Sequence, residues 1–352
     1  MREYRISEGE AGQTLNKFMH KYMPKAPSSF FYKMYRKKNI VLNRKKVEGK
    51  ELLVAGDVIS FFLADDTILN FQDQSDEKRN EYEHAYQTLK NIEVVYEDQN
   101  VVIVNKPSGV LAQKAVPEDD SLNEWLIGYL LAKGEVTPES LKTFRPSVLN
   151  RLDRNTYGLV ICSKSLLGAQ TVSKWIRERS VRKFYCLIVK GNGLKETTIK
   201  GYLSKDAAKN RVTICRELPP HTKAEDISQI ETRYYPVEEY QEMSLAEVEL
   251  ITGKTHQIRA HMASIGHPLL GDYKYGDSRW NDFYRKQYGI QSQLLAACRL
   301  EFPETEGALA ELSNRVVSIP LPDIFTQILE KMRENKCLHG IPEDSVVRHW
   351  RI

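Results

Sequence analysis

A chain of 352 residues, 41% hydrophobic and 28% charged, is long enough for two or three domains and too apolar to be disordered. No run approaches the roughly 18 uncharged apolar residues needed to cross a bilayer, and Met1-Arg2-Glu3-Tyr4-Arg5 lacks an apolar signal core, so a cytoplasmic protein with no membrane partner is expected. Five widely spaced cysteines without a C-x-x-C pair argue for reduced thiols and against a structural metal, and a net charge of +4 says little by itself about partners.

The first unit runs over residues 1–66. Leu15, Phe18, Met19 and Tyr22 recur at i, i+3, i+4 and i+7, the spacing of one helix face. Pro24 and Pro27 then break the chain, and Ser28 or Ser29 can cap a second helix. Ile40-Val41-Leu42 and Val58-Ile59-Ser60-Phe61-Phe62 read as strands. Lys33, Arg36, Lys37, Lys38, Arg44, Lys45 and Lys46 are seven basic residues with no acidic one among them, offset by acid-rich sequence over 65–83. Such a concentrated face suits phosphates, although solvated basic faces are common. The helix-helix-strand order, with the basic run at the end of the second helix, resembles a small α/β RNA-binding domain found in a ribosomal small-subunit protein, which presents that helix and the following turn to RNA.

Residues 67–90 are polar, sustain neither period and read as a linker. From there to about 325 the pattern is short strands, at 92–96, 101–105, 158–163, 183–189, 211–215, 246–251 and 294–302, interrupted by helices at 122–132, 166–178 and 256–265. Several strands alternate apolar and polar residues. The fold class expected is α+β, built on a mixed, largely antiparallel sheet, with residues 326–352 a helix and tail.

Three segments carry chemistry. Asn150-Arg151-Leu152-Asp153-Arg154-Asn155-Thr156-Tyr157-Gly158 is a polar loop running into an apolar strand, with one carboxylate between two arginines that favour its ionised form. On its own it reads as a surface ion pair. In Gly253-Lys254-Thr255-His256-Gln257-Ile258-Arg259 a strand ends, Thr255 can cap a helix, and Arg259 sits one turn in, where it can pair with a carboxylate offered by a loop. The turn-rich Gly266-His267-Pro268-Leu269-Leu270-Gly271-Asp272 follows. On a strand, Lys183, Tyr185 and Leu187 share a face, and Tyr185 offers a flat ring for an unstacked base.

Arg151-Leu152-Asp153-Arg154-Asn155-Thr156, Lys183-Phe184-Tyr185 and Gly253-Lys254-Thr255-His256-Gln257-Ile258-Arg259, with Asn105-Lys106-Pro107-Ser108-Gly109 upstream, resemble, in the same order, the RluA family of pseudouridine synthases. With the N-terminal module they most resemble the branch that modifies large-subunit ribosomal RNA. The resemblance implies the pseudouridine synthase fold, isomerisation of uridine without a cofactor, and RNA as partner; a monomer is expected. It assigns Asp153 the catalytic role, as nucleophile or as base on the sugar, with Arg259 supporting it. It also implies that Arg151 fills the space left by a flipped nucleotide, Tyr185 contacts the base, and Ile258 walls the pocket. Lys33, Arg36, Lys37, Lys38, Arg44 and Lys45 would bind a neighbouring RNA segment, and Lys174, Arg177, Arg179, Arg182 and Lys183 would extend a phosphate track, a solvated helix end being an equal reading for the first three. Departures from the family are Asn150 for histidine, Tyr157 for a small hydroxyl residue and Ala296 for histidine, which bear on the carboxylate's surroundings and on RNA selectivity. The same chemistry on transfer RNA and a non-catalytic RNA chaperone are the competing readings; retention of Asp153, Tyr185 and Arg259 speaks against the second.

Overall fold

A computed structural model describes residues 1–72, 75–206, 211–218 and 227–338. In the N-terminal unit, strands β1 (Arg2–Arg5), β2 (Ile40–Leu42) and β3 (Val58–Phe61) form an antiparallel sheet in the order β1-β3-β2. Helices α1 (Leu15–Tyr22) and α2 (Ser28–Arg36) share its core. All four apolar residues of the α1 stripe are buried, and Thr14 caps the helix by accepting from the Lys17 amide. Neither serine caps α2. Its N-cap is Pro27, Ser28 is already helical, and the Ser28 hydroxyl bonds instead to the His20 ring at 2.9 Å. Strand β1 escapes sequence reading because three of its four side chains are charged.

The stretch expected as a linker is helical. Helix α3 (Asp65–Phe71) returns to the N-terminal core through Ile68, and Phe71 packs against Phe30 at 4.8 Å between ring centres. Helix α4 (Ser75–Thr88) joins the second unit, where Tyr82 and Ala85 are buried. Its apolar face, Tyr82, Ala85, Tyr86 and Leu89, does recur at helical spacing, but two tyrosines and an alanine hide it among polar residues. Gly128 of the facing helix makes the approach possible: a β-carbon there would lie 2.2 Å from the Tyr82 carbonyl oxygen.

The second unit is built on an 11-stranded sheet. In chain order its elements are β4 (Glu93–Glu97), β5 (Val101–Lys106), α5 (Leu122–Ala132), β6 (Ser147–Val148), β7 (Tyr157–Ser163), α6 (Leu166–Arg177), β8 (Arg182–Lys190), β9 (Thr197–Asp206), β10 (Arg211–Cys215), β11 (Ile227–Glu239), β12 (Met243–Leu250), α7 (Gln257–Ser264), α8 (Ser278–Tyr288), β13 (Leu295–Glu301), β14 (Val316–Ser318) and α9 (Asp323–Leu338). The order is β10-β9-β11-β12-β8-β13-β7-β5-β4, with β14 beside β13 and β6 beside β7. Strands β13 and β7 run parallel and the other neighbours antiparallel, so the mixed, largely antiparallel α+β fold is as expected. The short strands β6 and β14 are additions, as are strands β9 and β11 and helix α8. Their apolar residues are interleaved with charged and hydroxyl groups too densely to stand out.

Both faces of the central strands are buried. Val102, Val104, Val160 and Cys162 join Leu122, Leu126 and Leu130 of α5. Val101, Ile103, Leu159 and Ile161 join Val172 and Trp175 of α6 on the other side. This is the period-two alternation of a strand resolved into two cores. Helix α9 docks Phe325, Ile328 and Leu329 beside β8 and α8; residues 339–352 of the expected tail lie outside the described residues. Cys162, Cys186 and Cys298 are free thiols within the sheet. Among the described residues no helix is long and apolar enough to cross a membrane.

Candidate active site

The cleft lies where the loop before β7 meets the first turn of α7. Its lining includes Arg151, Leu152, Asp153, Thr156, Tyr185, Lys254, His256, Ile258, Arg259 and Leu295. Gly158 lets the loop enter the sheet. Its φ of +116° is open to glycine, and a β-carbon would sit 2.2 Å from the Ala297 carbonyl oxygen of β13. The loop is then clipped from below by the Lys106-Pro107-Ser108-Gly109 turn: Gly109 N–H donates to the Arg154 carbonyl at 3.0 Å, and the Ser108 hydroxyl donates to that of Asn155 at 3.0 Å. Lys106 is fully buried, and its ammonium donates to the carbonyls of Pro107, Val110 and Arg154 at 2.9, 2.8 and 3.0 Å. Burial pushes this amine down to about 7, against the pull of the Asp153 charge.

Asp153 is held from above. Arg259 Nη1 donates to its Oδ2 at 3.1 Å, while Arg259 Nε and Nη2 form a two-pronged pair with Asp272 at 2.7 and 3.0 Å. The bidentate partner of Arg259 is therefore Asp272, and Asp153 takes the remaining prong. Burial works against the guanidinium charge, but the bonds to Asp272 and Asp153 outweigh it, and its pKa is raised. Burial likewise opposes ionisation of Asp272, yet Arg259 and the backbone N–H groups of Tyr275 and Lys274 hold its carboxyl below the usual range. Asp153 is thus joined to a dry, paired charge while its own side chain remains one-quarter exposed to the cleft.

Helix α7 is anchored by Gln257, whose amide spans Thr252, Lys254, Glu231 and Thr232. Thr255 is not the cap: His256 occupies that place in a left-handed conformation, φ +54°. Its Nδ1 meets the Tyr275 hydroxyl at 3.0 Å and its Nε2 lies 3.8 Å from Asp153. Burial lowers its pKa, only partly countered by Asp153. The Tyr275 hydroxyl also accepts from the Val212 amide at 2.9 Å, linking β10 to the site.

Of the residues singled out by sequence, Arg151, Asp153, Tyr185, Ile258 and Arg259 come together in the cleft. Arg151 is exposed, Ile258 and Tyr185 are buried walls, and burial pushes the Tyr185 hydroxyl up. Lys183 does not join them: it is buried opposite Leu300 and is absent from the cleft lining. Lys174, Arg177 and Arg179 are exposed in and just beyond α6. Helix α6, with Lys174 and Arg177, packs on the sheet face opposite Tyr185, and Arg182 is tied to Glu249 and Glu301 at 2.8 and 2.6 Å. Lys33, Arg36, Lys37, Lys38, Arg44 and Lys45 are all exposed on the N-terminal unit.

The departures have structural counterparts. Asn150 braces the loop on β7, its Oδ1 accepting from the Ile161 amide at 2.7 Å. Tyr157 and Ala296 are register partners on the parallel pair β7–β13 and pack into the same apolar cluster, so the large ring occupies space beside the small side chain. Sequence reading missed Asp272 and Lys106. Both stood inside quoted motifs, and neither advertises a buried charge until its surroundings are folded.

The sequence pattern of the RNA pseudouridylate synthase family matches residues 100–264, which contain the loop, Tyr185 and the first turns of α7. The chain is 30% identical to the ribosomal large subunit pseudouridine synthase C of Vibrio cholerae, over 94% of this chain and 96% of that one. It is 25% identical to the protein of that name from Escherichia coli O157:H7, over 93% and 95%. In fold it is similar to human RNA pseudouridylate synthase domain containing 4, with a TM-score of 0.55 at 20% identity, covering 74% of this chain and 98% of that one. With relatives matched over nearly their whole length, the chain belongs to the RNA pseudouridylate synthase family, as an RluA-type isomerase acting on RNA.

Proposed function

We propose that the chain converts specific uridines of large-subunit ribosomal RNA to pseudouridine, with Asp153 as the catalytic carboxylate. The observation that carries this reading is the single Asp153 carboxylate, open to a cleft yet tethered to the buried Arg259–Asp272 pair. The reaction breaks the bond between ribose C1′ and uracil N1, turns the base, and forms a bond from C1′ to C5; N1 gains a proton and C5 loses one. Nothing is oxidised and no external group enters, so a carboxylate beside the sugar, a platform for the detached base and a dry wall suffice. Asp153 serves the sugar, Tyr185 and Ile258 receive the base, and Arg259 keeps the carboxylate aimed. A stacked uridine must be extruded to reach them, at about a few kcal/mol, and Arg151 at the rim fills the space it leaves. The exposed Lys33, Arg36, Lys37, Lys38, Arg44 and Lys45 bind a neighbouring RNA segment and add affinity through linkage of two modules. The ribosomal substrate is drawn from the names of the full-length relatives.

Release of tritium from [5-³H]uridine-labelled ribosomal RNA, isolated from cells lacking this gene, tests the reading. Wild-type protein releases label, and Asp153→Asn lowers the rate by at least about 10³-fold while RNA affinity stays within a few-fold. An Asp153→Asn protein that turns over at the wild-type rate would remove Asp153 from the chemistry; release from transfer RNA alone would move the substrate.

A further inference from the structure

The N-terminal unit is not tethered loosely to the catalytic unit; it is clamped to it. The centre of the clamp is Glu10, in the short 3-10 turn after β1, which is 2% exposed. Its Oε1 accepts from the Tyr4 hydroxyl at 2.6 Å and from the hydroxyl of Thr143. Its Oε2 accepts from the amide and hydroxyl of Ser7 at 2.9 and 2.7 Å. Tyr4 and Ser7 belong to the N-terminal unit. Thr143, 1% exposed, belongs to the catalytic unit, 133 residues away in sequence. A carboxylate tolerates such burial where donors satisfy it, and here one of those donors comes from the other unit. Around this centre, Lys142 Nζ donates to Gln72 Oε1 at 3.2 Å and Gln99 donates to Glu8 at 2.8 Å. Gly9 lies against Ser165 at the start of α6. The chain between the units is itself engaged, α3 in the N-terminal core and α4 against α5.

We infer that the Glu10–Thr143 latch is a specificity device: it fixes the basic face of the N-terminal unit at one distance and orientation from the Asp153 cleft. The two then read RNA as one rigid surface and select uridines by their spacing from a second RNA element. Glu10 and Thr143 are positioning residues that touch no substrate. The inference rests on the reading of the chain as an RNA-modifying enzyme with a phosphate-binding N-terminal face. A fixed second site raises effective concentration for RNAs that match its span and lowers it for those that do not.

The test uses the full chain with Thr143→Val plus Lys142→Met, which removes two cross-unit donors at similar volume, and Thr143→Arg, which forces a charge into the contact. Small-angle scattering of the free proteins reads the clamp. Kinetics are measured on ribosomal RNA from cells lacking this gene and on a short stem-loop carrying one unmodified target uridine, too small to span both units. The inference expects expanded scattering for the variants, a KM on the long RNA raised about tenfold with kcat within twofold, and unchanged constants on the stem-loop. Pseudouridine mapping should show additional modified sites. Thr143→Ser, which keeps the hydroxyl, should restore the wild-type KM. Scattering unchanged in both variants, an unchanged long-RNA KM with the units released, or an equal fall in kcat on both RNAs would each overturn it. If wild-type protein releases no tritium from any RNA, the proposed activity fails instead, and the scattering still reads the clamp.

Discussion

The cleft and the basic face of the N-terminal unit handle charge in opposite ways. In the cleft, Arg259 and Asp272 are buried and each is assigned to a partner by direction as well as by sign. On the N-terminal face, the seven basic residues from Lys33 to Lys46 are exposed and, among the described residues, form no ion pair within the protein. A buried pair has few alternatives, so it can hold a reacting group in place. An exposed cluster is screened by salt and tolerant of geometry, so it contributes affinity in small, nearly equal parts.

The sharpest way to break this contrast is at Arg259. Arg259→Met leaves Asp272 buried and unpaired, which should cost about 3–5 kcal/mol of stability and lower kcat by about 10²-fold or more, read by urea unfolding and tritium release. Arg259→Lys keeps the charge without the fork, so it should recover part of the stability and little of kcat. Wild-type stability in Arg259→Met would mean that the buried pair organises nothing.

A smaller effect is expected from His261 on α7, fully buried with Nδ1 on the Thr232 hydroxyl at 2.7 Å and Nε2 unpartnered. Burial pushes its pKa down to about 4 from 6.5. The unfolded chain therefore binds a proton there between pH 6.5 and 4 that the folded chain refuses. Stability present above pH 6.5 should be lost as pH falls through this window, by about 3 kcal/mol at most. Urea titrations at pH 7 and 4.5 check it: His261→Gln should shrink the difference between the two pH values, and an unchanged difference would acquit the imidazole.

The smallest effects belong to the basic face. Lys37→Ala or Lys38→Ala should weaken binding to ribosomal RNA a few-fold, leave kcat unchanged, and reduce the slope of log affinity against log salt by about 0.7–0.9 for each phosphate contact removed. A change in kcat with no change in slope would place these lysines outside RNA binding.

The difference between the two regions also governed how legible each was in the sequence. The stripe on α1 and the short unbroken apolar runs of β5 and β7 are local patterns, and they are realised as helix and strands. The loop and helix that bring Asp153 and Arg259 together were legible as motifs. The division of labour at Arg259 was not, because Asp272 offers itself in sequence as one acid in a glycine-rich turn. Helix α4 was unreadable for a related reason: its apolar face is completed only by contact with α5, and its residues look polar alone. Lys183 erred the other way, since its strand position suggested exposure and packing beside β13 covers it.

Residue order by itself determined the helix of the α1 stripe, the strands of the apolar runs β5 and β7, and the motifs that hold Asp153 and Arg259. These follow from backbone preferences and periodicity within a few turns of chain. The tertiary structure decided which charges are dry, that Asp272 rather than Asp153 takes the fork of Arg259, and that Thr143 closes on Glu10. Desolvation and directed hydrogen bonds depend on what approaches from distant sequence, and no local pattern records that approach.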